Sequence, residues 1–188
     1  MCRYADDLVI GCQHGVDGRE LLRALTQRLR QFVLSVHEGK TRLIAFGRFA
    51  AGPRAAAVQR RSETFNFLGF THYCGKTRNM RSMVKRKTQA TRRVRKLKAL
   101  REDMLRRMHT PVREQHRRLC QVLRDRYQYC GVIFNYSSLR AFKDCVVRLW
   151  RKTLGKRSQK GRVTWASYRR LLAALPLPEP VIHQAWHR

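Results

Sequence analysis

Asp6 and Asp7 are adjacent carboxylates in a chain of 188 residues that otherwise leans heavily basic, with 42 Lys+Arg against 12 Asp+Glu. Two hard oxygen ligands suit Mg²⁺, which binds through one or two carboxylates plus substrate phosphates, and a bound cation would relieve their mutual repulsion. Aspartates also dominate plain solvated turns, so the flanking residues decide. Leu8, Val9 and Ile10 form a short apolar run and residues 1–4 are strand-compatible. The stretch reads as a tight hairpin with Ala5-Asp6-Asp7 at its turn, which places the carboxylates at a sheet edge.

Other elements must hold that hairpin. A helix is signalled from Asp17, with Asp17 as cap and Glu20 completing a capping-box-like pattern. Leu21, Leu22, Leu25, Leu29, Phe32 and Val33 recur at helical spacing and predict a stripe packed on a sheet, with Arg19, Arg23, Gln27 and Arg30 outward. Gly39 breaks the period, and residues 41–46 resume as a short alternating strand after the Glu38-Gly39-Lys40 turn. Residues 49–63 read as an irregular connector. Residues 65–73 predict one strand buried on both sides, with Phe65, Phe67, Gly69, Thr71 and Tyr73 on one face and Leu68, Phe70 and His72 on the other. A hairpin turn near residue 77 leads to a short strand around Met83 and Val84.

Residues 87–108 follow a helical pattern in which Val94, Leu97, Leu100, Met104, Leu105 and Met108 are apolar. Lys85, Arg86, Lys87, Arg92, Arg93 and Lys96 are among the cations that crowd the rest. Pro111 opens a helix ending at Gly131, Ser137 or Ser138 can cap a third over residues 139–154, and Thr164 caps a short one carrying Trp165 and Tyr168. The three longer helices form a small bundle. The loop over residues 156–162, with Arg157, Lys160 and Arg162, is the best candidate for phosphate contacts. Pro176, Pro178 and Pro180 end regular structure, and His183 and His187 read as tail residues rather than metal ligands. The fold class is α+β: an antiparallel sheet with a packed helix over residues 1–86, an all-α helical domain over 87–174 and a tail over 175–188.

A formal net charge of +30 implies a polyanionic partner, most simply nucleic acid. Residues 1–75 carry 11 Lys+Arg against 6 Asp+Glu, while residues 76–188 carry 31 against 6, so the excess sits in the second part. A basic helix also suits an anionic membrane surface, but total charge and context favour RNA. No run approaches the roughly 18 apolar residues of a spanning helix and no signal-type apolar segment opens the chain, so a cytoplasmic protein without a membrane partner is expected. The six cysteines contain no C-x-x-C pair, which argues for reduced thiols over a zinc module or a disulfide framework.

Tyr4-Ala5-Asp6-Asp7 between apolar strands resembles the central active-site motif of reverse transcriptases. Glu38-Gly39-Lys40-Thr41 and Phe65-Asn66-Phe67-Leu68-Gly69-Phe70 follow, and then a basic helical region with Asn135-Tyr136, Trp150, Arg157-Ser158 and Trp165. That order is similar to the C-terminal part of a bacterial group II intron reverse transcriptase/maturase, over nearly the whole chain. The resemblance implies a partial palm running from catalytic hairpin to primer grip, then a helical thumb, or maturase domain, that binds intron RNA. It implies that Asp6 binds the two Mg²⁺ ions that activate the primer 3′ hydroxyl and steady the leaving group, with Asp7 assisting. Tyr4 would line the nucleotide and template side, Lys40 would face the pyrophosphate, and Phe67, Leu68 and Gly69 would grip the primer, Gly69 admitting its backbone. The implied activity is RNA-directed DNA polymerisation, on RNA or an RNA/DNA hybrid, with assistance to splicing.

The family's fingers and first palm half, which carry another metal-binding aspartate, are expected upstream of residue 1. The chain alone is therefore expected to bind RNA without extending a primer, its missing half supplied by a separate polypeptide if at all; a homodimer is the other assembly in view. The alternative is a non-catalytic maturase-like RNA-binding module or RNA chaperone, in which the palm is only scaffold.

Overall fold

The computed structural model describes residues 1–47, 62–77, 79–157 and 163–183. The chain folds as two compact units, Met1–Phe67 with His72–Val84, and Leu68–Thr71 with Lys85–Arg188.

The first unit opens on the expected hairpin. Strands β1 (Cys2–Tyr4) and β2 (Asp7–Val9) pair antiparallel in the register Cys2↔Val9, Arg3↔Leu8 and Tyr4↔Asp7. Two residues make the turn, and of the two only Ala5 has a positive φ, 51°, the sign pattern of a II′ turn whose twist suits a hairpin. Helix α1 (Gly15–Arg30) starts earlier than its acidic residues suggest, with His14 rather than Asp17 at the N-cap. Asp17 lies inside the first turn, where its carboxylate meets the positive end of the helix dipole. Leu22, Leu25 and Leu29 are half-buried, but Leu21 is exposed, and the helix stops at Arg30, so Phe32 and Val33 fall outside the stripe and Val33 is 96% exposed. Residues 41–46 form no strand, because no neighbouring strand among the described residues offers them a ladder. They pack by side chain instead. Leu43 closes on Gly18, where a Cβ would lie 2.8 Å from its Cδ1, and Phe46 meets Phe65 edge-on with centroids 5.0 Å apart. Among the described residues of this unit no apolar side chain is buried.

Residues 65–73 are two strands where the alternation predicts one. Strands β3 (Phe65–Phe67) and β4 (Phe70–Lys76) are joined by Leu68 and Gly69, with φ of 49° and 82°. Two consecutive left-handed residues are the signature of a tight I′-type hairpin turn, so the expected face assignment fails beyond Phe67. Strand β5 (Ser82–Thr88) completes a sheet of order β3-β4-β5. It runs further than expected, so Lys85, Arg86 and Lys87 belong to a strand, not to the following helix.

The second unit holds the core. Helices α2 (Ala90–Arg106), α3 (Val112–Cys130), α4 (Tyr136–Gly155) and α5 (Trp165–Ala174) bury Leu100, Met104, Leu119, Leu123, Tyr127, Phe142, Val146, Trp150 and Tyr168 together. Their faces follow the 3.6-residue period read from the sequence, except that Val94 of α2 is 62% exposed. Thr164 caps α5 as expected, its Oγ1 accepting from the Ser167 N–H at 3.2 Å. Helix α4 begins before Ser137 and Ser138, which therefore do not cap it; Asn135 takes that position with its side chain turned inward.

Residues 175–183 are no loose tail. Leu177 and Pro180 are buried, His116 Nε2 donates to Pro176 O at 2.9 Å, Tyr127 Oη donates to Pro178 O at 3.1 Å, and Lys143 pairs with Glu179. Three prolines forbid a helix, and the extended backbone leaves its carbonyls open to side-chain donors. This strap crosses Gly131 so closely that a Cβ there would lie 2.7 Å from Val181 O.

Candidate functional site

Residues directly opposite in an antiparallel pair share a face of the sheet. The register therefore puts Tyr4 beside Asp7, together with Cys2 and Val9, and places Arg3 and Leu8 on the other face. Asp6 occupies the turn between them. The Arg3 Nε donates to Ala5 O at 3.0 Å and braces that turn, a role the sequence reading did not give it. Tyr4, Asp6 and Asp7 are all exposed, open to a phosphate-bearing ligand.

The donor set bears on the implied Mg²⁺. Two consecutive exposed carboxylates fit one end of an oxygen-ligand site that completes itself with water and phosphate. A two-ion site asks for more, and no group of three or more His, Cys, Asp or Glu stands together among the described residues. The residues present do not make a complete two-ion centre, and no step is routed through one. Lys40 sits in the turn after His37, its N–H bonded to His37 O at 3.1 Å, and it is exposed. It makes no ion pair with Asp6 or Asp7.

Phe67, Leu68 and Gly69 are brought together, but as the end of a strand and a braced turn. Tyr129 Oη donates to Leu68 O at 2.9 Å and Gln89 N–H to Gly69 O at 3.1 Å. The space above the bare Gly69 Cα is filled by Arg92, whose Nη1 would lie 2.6 Å from a Cβ there. Gly69 thus serves its left-handed φ and the approach of an arginine, where an open path for a primer backbone is the sequence expectation. Phe67 packs against His72, which stacks on Phe65 at 4.8 Å.

The cations expected to meet RNA are dispersed. Lys85 lies over the Phe134 ring at 5.3 Å, Arg86 and Arg93 are half-buried, and Lys87 and Lys96 are exposed. Arg157 donates to His109 O at 3.5 Å. Lys160 and Arg162 lie outside the described residues, as does His187. Arg151, not singled out by sequence, stacks on Trp165 at 4.1 Å and donates to Val163 O at 3.0 Å, fixing the start of α5.

Two buried amides have roles the sequence does not signal, although Asn135 stands in the Asn135-Tyr136 pair that carries part of the resemblance. Asn135 accepts from the Thr88 N–H at 2.8 Å and donates to Cys130 O at 2.8 Å and Thr88 Oγ1 at 2.9 Å. Gln115 Oε1 accepts from Trp150 Nε1 at 3.1 Å, while its Nε2 donates toward the Met108 and Thr110 carbonyls, both at 3.0 Å, beyond the end of α2. The one signal for Gln115 is its place on the apolar face of α3, between Val112 and Leu119. All six cysteines are free thiols, and burial pushes the Cys120 and Cys130 thiols up from their ordinary range.

No curated protein and no solved structure matches the chain. Residues 1–72, which contain the Asp6–Asp7 hairpin, Lys40 and the Leu68–Gly69 turn, match the family model described as reverse transcriptase (RNA-dependent DNA polymerase), so it is in this N-terminal stretch that the chain is similar to reverse transcriptases.

Proposed function

We propose that the chain is part of a reverse transcriptase of the group II intron maturase kind, in which the first unit carries the catalytic hairpin and the second binds intron RNA. The observation that carries this reading is the two-residue hairpin of Tyr4 to Asp7, set within a stretch matching the reverse transcriptase family. On this reading Asp6 and Asp7 are the metal-binding carboxylates, and Mg²⁺ when bound would supply charge stabilisation for phosphoryl transfer. Tyr4, on the same sheet face as Asp7, lines the nucleotide side. Lys40 meets the pyrophosphate, and the Phe67-Leu68-Gly69 turn supports the primer. The partner on this reading is nucleic acid, the polyanion that both the family match and the net charge of +30 favour.

Two carboxylates alone are a poor two-ion site, so polymerisation requires a further carboxylate from another polypeptide segment. The test is primer extension on an RNA template with Mg²⁺, using the purified chain alone and mixed with a polypeptide supplying the rest of a palm. No extension alone and extension in the mixture, lost in Asp6→Ala, is expected. Extension by the chain alone, lost in Asp6→Ala, would contradict the incompleteness of the site.

A second reading has its own support. Every buried apolar side chain among the described residues lies in the second unit, which favours a non-catalytic RNA-binding module or RNA chaperone with the hairpin as scaffold. Under that reading extension fails in the mixture too.

A further inference from the structure

On α4, Leu149, Lys152, Thr153 and Lys156 recur at the three- and four-residue spacing that puts them on one stripe, and on α2 Arg101 and Leu105 do the same. These six residues line a groove between the two helices. Three are cations, none is acidic, and the Thr153 hydroxyl is committed to Leu149 O at 3.0 Å.

The acids of the second unit that form ion pairs do so outside this groove. Asp103 meets Arg107 at 3.1 Å and Arg118 at 3.6 Å, and Glu179 meets Lys143. No ion pair among the described residues involves Arg101, Lys152 or Lys156. Lys152 and Lys156 stand one turn apart, a like-charge arrangement that destabilises a helix slightly. Their place near the end of α4 is eased by the negative end of its dipole, but Arg101 lies in the body of α2 and gains nothing from that. All three are exposed, so an extended anion laid along the groove meets cations that no ion pair among the described residues occupies.

We propose that this groove takes the phosphodiester backbone of a single RNA strand. The proposal rests on the RNA-binding reading above and assigns it a surface, further along α2 than Arg92, Arg93 and Lys96. The stripe from Leu149 to Lys156 runs for about 10 Å at the helical rise, which suits a run of phosphates better than one small anion. An anionic membrane fits less well. A membrane-surface helix turns its apolar residues outward, whereas Leu100 and Met104 of α2 and Val146 and Trp150 of α4 face the core.

The test is fluorescence anisotropy of a labelled unstructured RNA over about 50 to 200 mM salt. It compares the wild-type chain, the groove variant Arg101→Gln/Lys152→Gln/Lys156→Gln, and a charge-matched variant of exposed α3 residues, Arg113→Gln/Arg117→Gln/Arg124→Gln. Circular dichroism checks folding, and the single substitutions replace the triple if it does not fold. The groove variant is expected to lower the steepness of the log–log salt plot by about 2, three contacts of about 0.7 each, while the α3 variant lowers it by less than about 0.7. Equal losses in the two variants, or an unchanged slope in the groove variant, overturn the groove assignment while RNA binding stands. Absence of RNA binding by the wild type overturns both readings. Loss of binding to phosphatidylserine vesicles in the groove variant, with RNA binding intact, assigns the groove to a membrane and also overturns the proposal.

Discussion

Asn135 has no exposed surface and closes four hydrogen bonds between the end of β5, the end of α3 and itself. Asn135→Ala leaves the Thr88 N–H and the Cys130 carbonyl buried without that partner, so a destabilisation of about 2–3 kcal/mol is expected in urea unfolding. Gln115→Leu should cost a similar amount, since it strands the Trp150 N–H. Thiol chemistry gives a second check. Burial raises the Cys120 and Cys130 pKa values, which lowers their thiolate fraction at neutral pH, whereas Cys2 and Cys12 are exposed. Mass spectrometry after brief alkylation of the native chain should find label on Cys2 and Cys12 and little on Cys120 or Cys130. At this scale the sequence was legible where residue type alone carries meaning, as in the adjacent carboxylates. It was not legible for Asn135 or Gln115, because a polar residue's buried partners come from elements distant in the chain.

The hairpin of β1 and β2 and the limits of α3 were readable, because an apolar run beside a two-residue turn and a Pro–Gly frame are local signals. Residues 65–73 misled, since alternation continues across Leu68 and Gly69 and period alone cannot see a turn whose left-handed pair includes a leucine. The strand expected over residues 41–46 failed for lack of a partner strand among the described residues, which is a property of the assembly and not of the segment. Gly69→Ala meets both a φ of 82° and the Arg92 guanidinium, and a loss of about 1–3 kcal/mol is expected in thermal or urea melts. The strap over residues 175–183 was unreadable for a related reason, since prolines signal only what a segment cannot become. Gly131→Ala should release it, seen as faster amide exchange at His183, whose N–H bonds Gly131 O at 2.8 Å.

Across the molecule, stability and charge concentrate in the same unit. The first unit buries no apolar side chain among its described residues, so its amides should exchange far faster than those of α3 and α4 in the isolated chain. Alkaline pH acts on the second unit. Burial holds the Tyr127 and Tyr168 phenols well above their ordinary range, so beyond pH of about 10 the folded state keeps protons that the unfolded state has released. The stabilisation is complete below that pH and is lost as pH rises through the folded values; Tyr168→Phe should flatten that alkaline fall. No helix of the described residues is long and apolar enough to cross a membrane. On the proposed function, the basic helical unit binds RNA without help from the carboxylate hairpin. Equilibrium RNA binding across a salt series, for the wild type, Asp6→Ala and Asp7→Ala, tests this most directly. Three equal affinities are expected, falling steeply with salt by a log–log slope of about −0.7 for each phosphate contact; a flat salt response, or a marked loss of binding in either aspartate variant, would overturn that reading.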